Sequence, residues 1–244
     1  MSVLKGNRAS NSFFYHFSAP WQQLMLEKYL GSIHAYPDWR YLDLGCGVGN
    51  NLRTIIKFGE NITALEPATK ALEYCRERYD GKSVNFVQGT AEKLPFNDAS
   101  FDVVVFTEVL EHVASPEQSL REVERILEQG GYCILSFQTY LNLAGAIKSF
   151  MKYVLKRPDW DAWGDSAGQT EHALTVLRVK RTLRSTRLKP LREDGADYLN
   201  AWLIWLPFIH QNYKLLDRFP LFFLGKLPVI KWLGMDYFML LQKQ

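Results

Sequence analysis

The chain has 244 residues, 47% of them hydrophobic, with 29 Lys and Arg against 26 Asp and Glu. That length can bury a full core in one domain, and the balance of apolar and charged residues excludes global disorder. Cys46, Cys75 and Cys133 lack metal-finger or CxxC spacing, no signal-peptide pattern opens the chain, and the greasiest stretch, Ala201 to Ile209, is too short to span a bilayer, so the expectation is a soluble cytoplasmic protein.

In chain order, "SAPWQQLMLEKYLGSI" predicts an amphipathic helix begun by Ser18 and Pro20. From Trp39 to Gln138, β-rich runs alternate with helical patterns, the signature of a parallel sheet with helices on its faces. Strands are predicted at "YLDL", "NITALE", "VNFVQ", "FDVVVF" and "YCILSF", starting at Tyr41, Asn61, Val84, Phe101 and Tyr132. "PATKALEYCRERY" and "SPEQSLREVERILEQGG" read as helices between them. In the second, Ser115 is placed as N-cap and Pro116 as first helical residue. Leu120, Val123, Ile126 and Leu127 form its apolar stripe, and Gly130–Gly131 stop it. Beyond the core, "YLNLAGAIKSFMKYVLK" is a basic amphipathic segment and "HALTVLRVKRTLRST" a helix. "LKPLRED" and "MDYFMLLQKQ" are strands, and Pro207, Pro220 and Pro228 break the apolar stretch between them.

"YLDLGCGVGN" follows the first strand and opens a helix. Gly45, Gly47 and Gly49 alternate through the turn, where they let backbone fold tightly and approach a ligand that a Cβ would push away. The pattern is GxGxG rather than the GxGxxG of nicotinamide-binding proteins. Asp43, at the tip of the first strand, would repel a pyrophosphate and favour an ammonium or sulfonium. Glu66, at the end of the second strand, can accept hydrogen bonds from both hydroxyls of a ribose.

With "ALEPATKALEYCRER", "GTAEKLPFNDASFDVVV", "EVLEHVASP" and "LREVERILEQGGYCILSF" following in order, the chain resembles the class I S-adenosylmethionine-dependent methyltransferases. The closer likeness is to their small-molecule group, which includes the ubiquinone-pathway O-methyltransferases. The resemblance covers about Tyr41 to Phe137. It implies a Rossmann-like, doubly wound α/β fold, with a mostly parallel seven-stranded sheet whose last strand is antiparallel. It also implies a single domain over 1–244: a lid helix in 1–38, a cofactor core in 39–139, and acceptor-covering insertions in 140–172 and 196–234. S-adenosylmethionine would then be held by Asp43, Gly45, Cys46, Gly47, Gly49 and Asn50 at its methionine end, and by Glu66 and Pro67 at the ribose. Thr90, Ala91 and Glu92 would lie at the adenine, and Thr107 near the methyl. Thr90 stands where many relatives carry Asp.

The segment "TEVLEHVASP" packs Glu108, Glu111 and His112 into five residues, and one helical turn would put all three on one face. Three readings stay open. His112 is a general base oriented by Glu108 or Glu111; or these three, with His172, bind a divalent cation such as Mg, Mn or Zn; or they only cap a turn. The acceptor side is read from the lid parts: Tyr15, His16 and Trp21, the 140–165 segment, and the stretch from Trp202 to Trp232. These are aromatic and aliphatic, favouring a small apolar acceptor, phenolic, quinone-like or lipid, methylated on a hydroxyl. Residues 1–139 hold 13 basic against 17 acidic residues and 140–244 hold 16 against 9, which keeps a peripheral membrane contact open. "RVKRTLRSTRLK" raises the alternative of a metal-dependent enzyme like the RNA 2′-O-methyltransferases, although its helix-spaced Val179 and Leu183 argue against a nucleic-acid face. A non-catalytic cofactor-binding relative is the remaining alternative.

Overall fold

The computed structural model describes residues 19–150, 154–156, 172–198, 202 and 224–244. In chain order these form helix α1 (Ala19–Ser32), strand β1 (Arg40–Leu44), α2 (Leu52–Ile55), β2 (Asn61–Glu66), α3 (Thr69–Arg78), β3 (Val84–Gln88) and β4 (Phe101–Thr107). Then come α4 (Pro116–Ile126), β5 (Leu127–Gln138), α5 (Leu143–Ser149), α6 (Val176–Leu183), β6 (Leu188–Ala196) and β7 (Asp236–Lys243). Tyr15, His16, residues 157–171 and most of 199–223 lie outside the described residues, as does the side chain of Trp21.

The strands pair in the order β3-β2-β1-β4-β5-β7-β6. Strands β1 to β5 run parallel, while β7 pairs antiparallel with both β5 and β6. This is the seven-stranded, doubly wound sheet that the resemblance implies. Alternation along the central strands splits the core into two layers. Val103 and Val105 of β4 face α1 to α3, joining Met25, Leu30, Tyr41, Ile62 and Leu72. Val104 and Phe106 face the other way, against Leu120 and Val123 of α4 and Val179 and Leu183 of α6. A strand covered on both faces has no wet side, which is why the run from Val103 to Phe106 is continuously apolar.

Helix α4 starts as its sequence predicts. Ser115 accepts a hydrogen bond from the Gln118 N–H, and Pro116 opens the first turn. Ser115→Ala should therefore lower unfolding free energy by about 1 kcal/mol, read by urea denaturation, with binding at the cavity described below unchanged. The stop differs from expectation. The helix ends at Ile126, because Leu127 already pairs with Phe101 as the first residue of β5. The Gly130–Gly131 pair instead lies inside that strand, Gly130 at φ +81°, where the β4–β5 register shifts between Phe101 and Val103. The helix expected after the glycine loop is likewise a single turn, α2.

The basic run near the end of the core is a packed element rather than an open cationic face. Val179 and Leu183 are buried. Arg178 meets Glu117 at 3.3 Å, Lys180 meets Glu193 at 2.7 Å and Arg187 meets Glu124 at 3.0 Å. Half its cations are thus matched by this chain's own carboxylates. At the amino end of the sheet, Arg40 ties three strands together, forking onto both oxygens of Asp102 (2.9 and 3.0 Å) and reaching Glu128 at 3.1 Å. Among the described residues no helix is long and apolar enough to cross a membrane.

Candidate active site

The winding of the sheet reverses between β1 and β4, and the crevice outside the carboxyl ends of strands at such a point is where open α/β sheets take ligands. A cavity of about 630 Å³ lies there, within the range of about 300–1,000 Å³ usual for small-molecule sites. Three positive-φ glycines shape the loop beneath it, Gly45 at +76°, Gly47 at +52° and Gly49 at +82°, the first two in the lining itself. A Cβ on Gly45 would overlap the Val109 side chain. One on Gly49 would stand 2.5 Å from the Tyr79 ring and 2.7 Å from the Cys75 sulfur. Substitution at either would strain the backbone and push the loop into the space a ligand needs.

Gly45, Cys46, Gly47, Asn50, Glu66, Pro67, Thr90, Ala91, Glu92 and Thr107 all line the cavity. Glu66, at the tip of β2, accepts from the Gly47 N–H and the Ala68 N–H, both at 3.0 Å. Those two bonds hold the carboxylate against the loop and leave it acceptor capacity for ligand hydroxyls. Glu92 accepts from the Ala114 N–H at 2.6 Å, which pins the turn after β3 to the loop after β4.

Asp43 and Gly49 stand behind the lining rather than in it. Asp43 is fully buried. Its Oδ1 accepts from Asn51 Nδ2 at 3.3 Å, and the same amide donates to Thr107 Oγ1 at 2.9 Å. Its Oδ2 has no hydrogen-bond partner among the described residues. Burial raises the carboxyl to about 7, against the pull of the Asn51 bond and with a further push from Glu66. An unsolvated carboxylate with one unspent oxygen beneath a glycine-lined floor is suited to a cationic ligand. Asn51 is the residue that motif reading missed; it follows Asn50 directly, and nothing in the sequence says which of the two amides turns inward.

The segment from Glu108 to Ser115 makes turns and bends and no helix, so the one-face arrangement expected for its three polar side chains does not form. Glu108 sits in the left-handed region at φ +55°, a conformation that costs a non-glycine residue about 1–3 kcal/mol. Its Oε1 accepts from Ser136 Oγ at 2.6 Å. Its Oε2 is buried without a well-formed hydrogen bond, beside Glu111 and Gln138. Burial raises the Glu108 carboxyl above its ordinary value. His112 is exposed and, with Glu108, lines the cavity. Glu111 is fully buried, turned toward the Gln138 N–H, while its carbonyl accepts from His172 N at 2.8 Å. Strain at Glu108 thus splits the cluster, with Glu108 and His112 facing the cavity and Glu111 below it. The proposed metal set of Glu108, Glu111, His112 and His172 is not assembled. Among the described residues no three His, Cys, Asp or Glu side chains are placed to hold a metal ion.

Residues 42–135 match the family model for a methyltransferase domain, the span that contains the glycine loop, Asp43, Glu66 and the segment after β4. Over that span the chain is similar to the S-adenosylmethionine-dependent methyltransferases. Among curated relatives of this methyltransferase core, a sterol 24-C-methyltransferase of Gibberella zeae is 38% identical over 111 residues, 43% of this chain and 29% of that protein. A ubiquinone biosynthesis O-methyltransferase of Methylocella silvestris is 34% identical over 113 residues, 46% of this chain and 42% of that protein. The chain therefore spans less than half the length of these relatives. Over nearly its whole length it shares a fold with an S-adenosylmethionine-dependent methyltransferase of Thermotoga maritima described as a possible histamine N-methyltransferase. That match has a TM-score of 0.62, 17% identity and 97% of each chain covered.

Proposed function

We propose that the protein transfers a methyl group from S-adenosylmethionine to a hydroxyl oxygen of a small, largely apolar acceptor. One observation carries the reading: a cavity floored by the positive-φ Gly45 and Gly47, with the fully buried Asp43 beneath it keeping one oxygen unpartnered among the described residues. When bound, S-adenosylmethionine supplies an electrophilic methyl on a positively charged sulfur. Asp43 favours the positive charges of that ligand, and the absence of a Cβ at Gly45 and Gly47 lets its polar end lie close against the loop. Glu66 accepts from the ribose hydroxyls, while Thr90, Ala91 and Glu92 line the adenine end. Thr107, held by Asn51, marks the reacting end at the tip of β4.

Displacement at a methyl needs the acceptor aligned and water excluded, and a hydroxyl acceptor must also lose its proton. Glu108 is the group we assign to that proton. It lines the cavity, its Oε2 lacks a well-formed hydrogen bond among the described residues, burial raises its carboxyl above the ordinary value, and its backbone is held in the left-handed region. Relatives named for sterol and ubiquinone chemistry support an apolar acceptor body, as does the aromatic and aliphatic composition of 1–38, 140–172 and 196–234.

Isothermal titration with S-adenosylmethionine and S-adenosylhomocysteine tests the cofactor half, and a folded protein that binds neither ends the proposal. Labelled methyl transfer to a panel of phenols, quinols and hydroxylated lipids tests the other half. Label arriving on carbon or nitrogen alone would overturn the oxygen assignment.

A further inference from the structure

Behind the cofactor cavity, away from the glycine loop, the carboxyl edge of the sheet carries a second acidic centre. Asp236 is the first residue of β7, and its register sets it between Gln138 at the end of β5 and Ala196 at the end of β6. It is 1% exposed, yet among the described residues neither oxygen of its carboxyl has a hydrogen-bond partner. The charges that act on it are those of Glu108, Asp197 and Glu111, all of its own sign, and together with its burial they hold its carboxyl well above the usual range. The backbone N–H of His172 is fixed on the carbonyl of Glu111, one of the carboxylate residues that act on Asp236, and its buried Nε2 has no hydrogen-bond partner among the described residues.

Buried carboxyls normally find donors or cations, because an unpaired one forfeits its hydration with nothing in return. Asp236 forfeits it twice over, at both oxygens, in a place whose neighbours make a negative charge costlier still. A charged group that enters such a place gains from several carboxylates at once. A bare metal ion is a poor fit, since no three ligating side chains converge among the described residues. An organic ammonium, with its spread of N–H donors, needs no such convergence. Glu108 connects the two regions, since it belongs to the acidic centre and also lines the cavity where methyl transfer is assigned.

We propose that Asp236 is a specificity residue that seats a protonated amine on the acceptor, so that the substrate class is a hydroxylated, largely apolar amine rather than a neutral phenol or sterol. The proposal rests on the methyl-transfer reading and deepens it. The reacting hydroxyl lies at Glu108 and the cationic nitrogen beyond it at Asp236.

The test uses the full chain saturated with S-adenosylhomocysteine at pH 8, titrated calorimetrically with tyramine, with 4-ethylphenol and with 3-(4-hydroxyphenyl)propanoate. The three probes share a phenol and differ in carrying a positive, a neutral or a negative tail. Tyramine should bind at least about tenfold more tightly than 4-ethylphenol, with the propanoate weakest, and Asp236→Asn should abolish that order while still binding S-adenosylhomocysteine. If the Asn variant loses S-adenosylhomocysteine binding through misfolding, the order in the unaltered protein decides. Equal binding of tyramine and 4-ethylphenol, tighter binding of the neutral phenol, or no binding of tyramine overturns the proposal, and so does an order that survives in Asp236→Asn. Failure of S-adenosylhomocysteine itself to bind would instead strike the methyl-transfer reading.

Discussion

Asp43→Asn should weaken S-adenosylmethionine binding by about 10²–10³-fold, the loss expected when one partner of a buried charge interaction of about 3–5 kcal/mol is removed. The variant keeps the shape of the site and an oxygen for Asn51 to bond, so the loss reads charge and not volume. The pH dependence separates this from a folding defect. In the ligand-free protein burial holds Asp43 at about 7, so the carboxyl is ionised above that pH and protonated below it. A cationic ligand prefers the ionised form. Affinity of the unaltered protein should therefore fall by about tenfold per pH unit as pH drops below 7, while that of Asp43→Asn stays flat. Stability should move the other way. The folded-state value lies above the ordinary carboxylate value, so the contribution of Asp43 to folding is fully present below about 4 and is lost as pH rises through 7. The ligand-free protein should soften over that window, and Asp43→Asn should remove that part of the slope. An unchanged affinity in the variant, or equal pH slopes in the two proteins, would remove Asp43 from the binding site.

Much of this architecture is legible because it is local. Each core strand announces itself by β-branched runs, and Asp43, the three glycines and Glu66 lie within one stretch of 24 residues whose spacing implies a loop and two strand tips. What escapes the sequence is set by contacts between distant segments. Gly130–Gly131 looks like a helix stop, but Leu127 leaves α4 to pair with Phe101, a partner 26 residues away. Glu111 and His112 look like co-facial ligands until the left-handed backbone at Glu108 turns one into the core and the other outward. Asn51 acts through Asp43 and Thr107, 8 and 56 residues away. Asp236 is the extreme case. The β5–β7 pairing brings it beside a segment more than 120 residues earlier, and in the sequence it is only the start of a final strand.

Glu108→Gln should lower kcat by about 10²-fold or more, the usual contribution of a positioned general base, with the affinity for S-adenosylmethionine changed little. The substitution preserves the bond from Ser136 Oγ to the side-chain carbonyl and removes the group that takes the proton. Because burial raises this carboxyl, kcat should decline on the acid side at a pH above the ordinary carboxylate range, and that limb should vanish in the variant. His112→Ala offers the contrast. It also lines the cavity, but as an exposed side chain its loss should leave the acid limb in place. Glu108→Gly completes the argument from energetics. Glycine adopts φ +55° freely, and deleting the carboxylate removes a buried group with an unspent oxygen, so the variant should unfold no more easily than the unaltered protein while failing to turn over. A strained residue whose removal spares the fold and abolishes the reaction is held there for chemistry. If Glu108→Gln keeps its rate to within about threefold, or if the acid limb is lost in His112→Ala instead, the proton goes to the histidine and the strain at Glu108 serves the turn alone.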